Sequence, residues 1–531
     1  MENQNKEPRT KFFLNEHCMG FAELKNNCWN FSISSVNPKN RICVNEYLAG
    51  YVQGKLQGNN MLKASRNNTW DNAYLCNAKK SYPKQLGPTS DELLIAERIL
   101  TKNYHYLLTW IRSFEKKEIA KYIERLLYRM FGIYEGAVGV PVRGEADLEE
   151  KIMYKEFSTV SLRLGYKDAE LSFGDLYFIN AQMDLFDVVS NSLESTYGKH
   201  KSDHCSAFLK RTGEDIYWTH NSWCGYLSQS HTISYLIGDD FITQNSYCPG
   251  QFGSNMDFGF NGHGVCFNET THRYSINGSQ VDGIWLCWRA AAAEMFARSI
   301  NDFYNYITVD NTGTYLNGYM LIDVKTKETA LIEMSHKRFV LFHSDGKTLT
   351  VTDSTGEAVG ERDYDQDLIT PDFIFGINYP ISKRVVEDLA STDNRPMRRV
   401  QFGERIGLVK DMNSAKELIT YVGKDEPLSI YGRWDLGRGT TSYPKTIPDG
   451  AVDAKVFSAL KVKELLKSLQ YKPNERSTKT SFWMLYGTAK IDGEPFVWSK
   501  SDWKDCKKDI SVDFVPDRLE GKWAETQLFM D

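Results

Sequence analysis

At Cys205 the hydrophobic pattern of this chain changes period, from helical spacing ahead of it to strand-like alternation behind it. Long stretches on both periods call for helices and strands together, in a chain long enough for about two to four average domains or one large α/β unit with insertions. Ahead of the switch, Thr89 or Ser90 caps a predicted helix that sets Leu93, Ala96, Leu100, Tyr104, Leu107 and Ile111 on one face. A second helix over residues 116–130 aligns Ile119, Ile123, Leu126, Leu127 and Met130. Residues 20–24 and 29–33 read as short strands, 45–56 as a helix, 176–179 as a strand-like apolar run and 184–189 as a helical stretch. The polar segment 194–204 then leads into Cys205, and an exposed polar stretch is where a chain can be opened without losing core.

Behind the switch, residues 206–209 and 216–219 flank the turn Arg211-Thr212-Gly213-Glu214-Asp215 as a hairpin. A long amphipathic helix is expected over 283–307, and a meander follows at 319–324, 330–334, 339–343 and 349–352. No internal repeat or low-complexity linker divides the chain, and the polar stretch 391–398 is the one other loop break expected. The reading is one integrated unit, with 1–204 as an N-terminal fragment that completes the core and 205–531 as the fragment that carries the chemistry.

A net charge of −5 over 531 residues gives no basic surface for nucleic acid and no polybasic membrane footprint. No stretch approaches the roughly 18–20 apolar residues that cross a bilayer, and residues 1–14 lack the apolar run of a signal peptide, so the chain as written reads as cytoplasmic. The ten cysteines are scattered, without C-x-x-C or the Cys/His spacing of a zinc site, and read mostly as buried reduced thiols; no metal or cofactor is called for. Common catalytic signatures are absent. Asp345-Gly346-Lys347-Thr348 has only the tail of a phosphate-binding loop and sits in a hairpin turn, and the glycines at 259, 262 and 264 suit a tight turn between strands.

Cysteine chemistry remains. Cys205 heads one strand, and Thr219-His220-Asn221-Ser222-Trp223 returns beside it on the next. A thiol needs a base, and there are two sources: a neighbouring histidine, or the α-amine that a cut between His204 and Cys205 would create, with a pKa of about 7.7–8.0. Alternation puts His220 and Ser222 on one face of the strand and Asn221 with Trp223 on the other, so His220 and Trp223 cannot both face the thiol unless the strand ends or bulges.

Seven motifs taken in order carry a resemblance. They are Cys205-Ser206-Ala207-Phe208-Leu209-Lys210, Thr219-His220-Asn221-Ser222-Trp223, Phe267-Asn268-Glu269-Thr270-Thr271, residues 311–323, Gly376-Ile377-Asn378-Tyr379-Pro380, Arg433-Trp434-Asp435-Leu436-Gly437 with Ser442-Tyr443-Pro444, and Ala451-Val452-Asp453-Ala454-Lys455-Val456. In order and spacing the chain resembles the phospholipase B-like family, related to the penicillin V acylase and bile salt hydrolase group. The resemblance implies an α+β fold, the four-layer αββα sandwich of an N-terminal-nucleophile hydrolase, matured by autoproteolysis before the cysteine, whose two fragments stay associated. It implies Cys205 as nucleophile and its amine as base, with His220 and Trp223 where the related group has Arg and Asp. Thr270 would help hold the tetrahedral oxygen, Asn378 would be an oxyanion donor, and Arg433 would orient the nucleophile. Asn221, Asn317 and Asp435 are secondary candidates.

The substrate implied is a phospholipid ester; an N-acyl amide or peptide is the alternative within the same chemistry, and a lipid-binding protein without turnover the alternative outside it. A homo-oligomer is left open. The sequence departs from the family in three ways. The signal peptide of the lysosomal or secreted animal members is not seen, which leaves the compartment unknown. Asn255-Met256-Asp257 replaces a double Asp after Cys248-Pro249-Gly250, and the Cys-to-His hairpin is shorter; both are expected at the pocket rim.

Overall fold

The structure is a computed structural model and describes residues 9–526 other than 26–27, 78–89, 115–116, 149–154, 159, 166, 193–204, 227, 229, 247, 254–256, 275–277, 394–395, 424–428, 433–448, 472–481, 489–493, 502–503 and 505–515. Two large sheets organise it. The first runs through β1 (Arg9–Asn15), β2 (Cys18–Lys25), β3 (Cys28–Ser35), β6 (His231–Ile237), β7 (Asp240–Ser246), β8 (Phe258–Asn261), β9 (Val265–Thr271), β10 (Asn317–Asp323), β11 (Glu328–Met334), β12 (Phe339–Ser344) and β13 (Leu349–Asp353), in that spatial order. Every pairing in it is antiparallel except β3 with β6, which among the described residues is the one place where the chain ahead of Cys205 joins the chain behind it within a sheet.

The second sheet has the order β14 (Phe373–Gly376), β4 (Cys205–Thr212), β5 (Asp215–Gly225), β16 (Asp453–Ser458), β17 (Phe482–Tyr486) and β20 (Ala524–Thr526), with β15 (Asp449–Ala451) paired to the end of β5. The two sheets meet through aromatic side chains. Trp218 stacks on Phe457 at 4.4 Å between ring centres, and Phe258, from the first sheet, stacks on Phe457 at 4.8 Å. The Asn268 side chain donates 2.9 Å to the Thr219 carbonyl across the gap. Alternation explains this face: Trp218 and His220 point inward, while Thr219, Asn221 and Trp223 point outward.

Helices cover the outer surfaces. On the first sheet lie α1 (Ile42–Asn77) and α3 (Glu118–Val138), packed on each other, with α2 (Ser90–Ser113) and α4 (Phe173–Ser192) beside them; α5 (Leu286–Phe296) and α6 (Ile300–Thr308) cover β7 to β11. On the second sheet lie α9 (Met412–Ile419) and α10 (Ala459–Tyr471), with α8 (Pro396–Arg405) bringing Phe402 against Phe208 and Phe375. The α1–α3 contact is unusually close. A methyl on Gly54 would lie 2.2 Å from the Ile133 carbonyl oxygen, and one on Gly132 would lie 2.1 Å from that of Tyr47.

The α+β class, the helix at Ser90 with its buried Ala96, Leu100, Tyr104, Leu107 and Ile111, and the meander β10–β13 match the sequence reading. Other boundaries differ for identifiable reasons. The helix expected over 45–56 runs from Ile42 to Asn77, bent at Gly58, where φ is 70°. The run 176–179 is helical, because a fully buried helix is apolar all round and loses its period. The expected helix over 283–307 breaks at Ala297, whose extended backbone ends α5; Ser299 then caps α6 by accepting from the Asp302 N–H. The five-residue turn contracts to Gly213-Glu214, since Thr212 already pairs with Asp215 and Gly213 supplies φ of 55°. The polar stretch 391–398 is not only a loop break: Pro396 opens α8. No described helix is long and apolar enough to cross a membrane.

Candidate active site

Cys205 is the first residue of β4, flanked by β14 and β5. The β4–β5 register pairs Cys205 with Ser222 and Ala207 with His220, which sets the thiol and the His220 ring on the same inward face, two residues apart along the ladder. Asp257, in the turn before β8, completes the cluster. One donor atom each from Cys205, His220 and Asp257 lies within 4.8 Å of the others, and all three residues are buried. Only 5% of Cys205 is exposed, and burial pushes its thiol well above its ordinary range. The negative charges of Asp257 and Glu269 add to that, while the Trp223 backbone N–H and the Lys455 ammonium pull the other way. Burial, with Lys455 nearby, drives His220 well below the ordinary histidine value, so its imidazole is neutral. A contact with the Glu269 backbone opposes that shift, and no described side chain hydrogen-bonds the ring.

The backbone of Cys205 is held as firmly as its side chain. Its N–H donates 3.1 Å to Asn378 Oδ1. Arg398, fully buried, sends Nη1 to the Cys205 carbonyl, to Ser206 Oγ at 3.1 Å and to Asn378 Oδ1 at 3.0 Å, and Nη2 to the Ile377 carbonyl. The guanidinium also lies over the Trp223 ring, 5.4 Å from its centre. Asn378 sits at φ of 63°, a left-handed conformation that asparagine tolerates better than most residues, and its Nδ2 donates 2.7 Å to the Thr271 carbonyl. The loop carrying Asn378 is pinned downstream by Glu333, whose carboxyl accepts from the backbone N–H groups of Ile381 and Ser382. Burial lifts Glu333 to about 8, and those two hydrogen bonds oppose the rise. On the other flank, the buried Lys455 donates 2.8 Å to Ser222 Oγ and 2.7 Å to Asp453, which accepts from the Ser222 N–H.

Of the residues singled out from sequence, Cys205, His220 and Asn378 come together. Trp223 does not face the thiol: β5 runs unbroken to Gly225, so alternation sends its ring outward beneath Arg398, and only its backbone N–H turns to Cys205. Asn221 is fully committed. It accepts from the Ser206 N–H and Trp223 Nε1 and donates to the Ile419 and Ile430 carbonyls, which makes it a bracket for β5 rather than a reagent. Thr270 packs where a methyl on Gly376 would come within 2.9 Å of its Oγ1, two residues before Asn378. Asn317 is buried beside Thr271 with neither amide atom hydrogen-bonded, an uncommon state for a buried amide. His204, Arg433 and Asp435 lie outside the described residues.

Four residues around the thiol carry no chemical role in the sequence reading. Arg398 sits in a stretch read as loop, and nothing in a polar run marks one arginine as buried. Asp257 was placed at the pocket rim, whereas it lies beside the thiol. Asp453 and Lys455 stand two apart inside a recognised motif, the spacing of one strand face, and that period was the available signal.

Comparison with known proteins gives the family. The sequence profile described as Phospholipase B matches residues 19–515. The chain belongs to the phospholipase B family. It is 27% identical over 311 residues to phospholipase B-like 1 of Rattus norvegicus, covering 53% of this chain and 55% of that protein. It is 25% identical over 370 residues to phospholipase B of Crotalus adamanteus, covering 60% and 63%. To phospholipase B-like protein G of Dictyostelium discoideum it is 22% identical over 360 residues, covering 62% and 57%. The matched part thus spans a little over half the length of these relatives.

Proposed function

We propose that this member of the family is a cysteine N-terminal-nucleophile hydrolase that cuts itself between His204 and Cys205 and then releases acyl groups from phospholipid esters. The observation that carries the reading is the way the structure grips the main chain of Cys205: its nitrogen on Asn378 Oδ1 and its carbonyl on Arg398, with the thiol turned to a neutral imidazole. A packed core cysteine also needs partners for its buried backbone groups, but here side chains supply them, and the Asn378 acceptor can stay in place when the amide becomes an amine. In the cut, the Cys205 sulfur adds to the His204 carbonyl carbon. The C–N bond breaks with the nitrogen taking a proton, and water hydrolyses the thioester to a carboxylate and a free thiol.

The new amine stays on Asn378. Donating one N–H there, it keeps its lone pair for the thiol proton, so the buried, protonated thiol of the uncut chain gains its base only after the cut. The second N–H of the Asn378 amide, with Thr270 nearby, is the proposed oxyanion donor. Two facing sheets with helices on both outer surfaces support the finer fold reading, a four-layer αββα sandwich. The parallel β3–β6 ladder and the 2.7 Å Arg125–Asp240 ion pair join segments from either side of the cut, so both fragments would remain in one body.

Denaturing mass analysis tests the cut. Wild type should give one fragment ending at His204 and one beginning at Cys205, and Cys205→Ala a single chain. Full activity from an uncut wild type would overturn the proposal. A panel of phospholipids against N-acyl amides then decides between ester and amide substrates.

A further inference from the structure

We infer that the thiol cluster is also a zinc site, with Cys205 Sγ, the His220 imidazole and the Asp257 carboxylate as ligands and reversible inhibition as its consequence. The inhibitory part rests on the reading of Cys205 as nucleophile; the binding does not. The geometry comes first. One donor from each of the three buried residues lies within 4.8 Å of the others. Ligands of a tetrahedral zinc ion, at about 2.0–2.3 Å from the metal, stand about 3.3–3.8 Å apart, so side-chain rotation of about an ångström closes the set.

Donor chemistry selects the ion. Thiolate, imidazole and a single carboxylate suit zinc, whereas magnesium and calcium want an all-oxygen shell. His220 is fully buried and no described side chain hydrogen-bonds its ring, so a metal bond would compete only with the contact from the Glu269 backbone. The charges agree, since Asp257 and Glu269 both act on the thiol as anions and a cation offsets them. Lys455, the nearby positive charge, is itself paired 2.7 Å from Asp453.

The proposed cut strengthens the site. It places a free amine on the same residue as the thiolate, and the two close a five-membered chelate ring on the metal, giving four ligands. Both the nucleophile and its base are then coordinated, and hydrolysis stops until a chelator removes the ion.

The test uses the full chain, stripped of metal and titrated with Co²⁺ as a spectroscopic stand-in that Zn²⁺ displaces. Wild type should bind one ion per chain with a thiolate-to-cobalt charge-transfer band. Cys205→Ser should lose that band, and His220→Ala and Asp257→Asn should each weaken binding by at least about tenfold, the scale at which even outer-shell partners matter. His220→Gln replaces His220→Ala if the latter fails to fold by circular dichroism. A folded wild type without the band, or folded His220 and Asp257 variants that bind as tightly as wild type, overturns the inference. Acyl release measured in parallel separates the two readings. Active protein that binds no ion defeats the zinc site alone, and a Cys205→Ser variant that still hydrolyses defeats the nucleophile while leaving the site.

Discussion

Replacing Arg398 should damage the protein more than any exposed arginine, and the structure sets the size of the effect. Its two terminal nitrogens serve four oxygen acceptors, three from Nη1 and one from Nη2, with no solvent access. A hydrogen bond to a charged donor is worth about 1.5–3 kcal/mol, and a buried acceptor left unpaired costs about 1–3 kcal/mol. Lysine has one donor nitrogen. It can serve the Cys205–Ser206–Asn378 cluster or the Ile377 carbonyl, but not both, and it loses the flat contact with Trp223, worth about 0.5–2 kcal/mol. Arg398→Lys should therefore destabilise by about 2–5 kcal/mol.

Arg398→Ala removes every bond and should approach the whole stability of an ordinary domain, about 5–15 kcal/mol, so the lysine variant is the informative one. The assay is the guanidinium midpoint together with the rate at which the fragment beginning at Cys205 appears. Cutting should slow, because the Cys205 carbonyl and Asn378 lose their common anchor. A lysine variant that unfolds within about 0.5 kcal/mol of wild type and, if the proposed cut occurs, cuts at the same rate would refute the argument that Arg398 holds the backbone of Cys205.

Asn378→Ala should lose both the grip on Cys205 and about 1 kcal/mol of backbone energy at its left-handed φ, whereas Asn378→Gly should recover only that backbone part and not the turnover; equal turnover in wild type and the glycine variant would remove Asn378 from the chemistry. Glu333 titrates at about 8 in the fold against 4.5 ordinarily, so its protonated form is favoured by folding. Its contribution is complete below pH 4.5 and is lost as pH rises through about 8. Unfolding midpoints at about pH 5 and about pH 9 should show a smaller loss of stability in Glu333→Gln than in wild type, and identical slopes would sink this assignment. Gly132→Ala should force α1 and α3 apart and cost about 1–3 kcal/mol or more in a denaturant titration, since its methyl would meet the Tyr47 carbonyl at 2.1 Å; an unchanged midpoint would mean that the helix pair yields freely.

The presence of both helices and strands, the face of α2 and the four-strand meander were legible in the sequence because each depends on local periodicity, which a linear chain displays. The place of Cys205 at the head of a strand, beside the returning Thr219-His220-Asn221-Ser222-Trp223 run, was legible because the two are close in sequence, and the alternation rule already excluded His220 and Trp223 from one face. The structure keeps that exclusion and shows its outcome, with His220 inward and Trp223 beneath Arg398. Helix boundaries were legible only where the helix has a wet face: α2 has one, while the buried start of α4 does not and imitated a strand.

Contacts between residues far apart in the chain left no local trace. Arg398 reaches Cys205 across 193 positions, and Lys455 reaches Ser222 across 233, because two sheets and the helices outside them are folded together. Residue type and period determined that this chain would build helices, sheets and a strand headed by a cysteine. Only the packing of those sheets decided which arginine, which aspartate and which lysine would surround it, since burial and charge partnership belong to the closed structure and not to any segment of it.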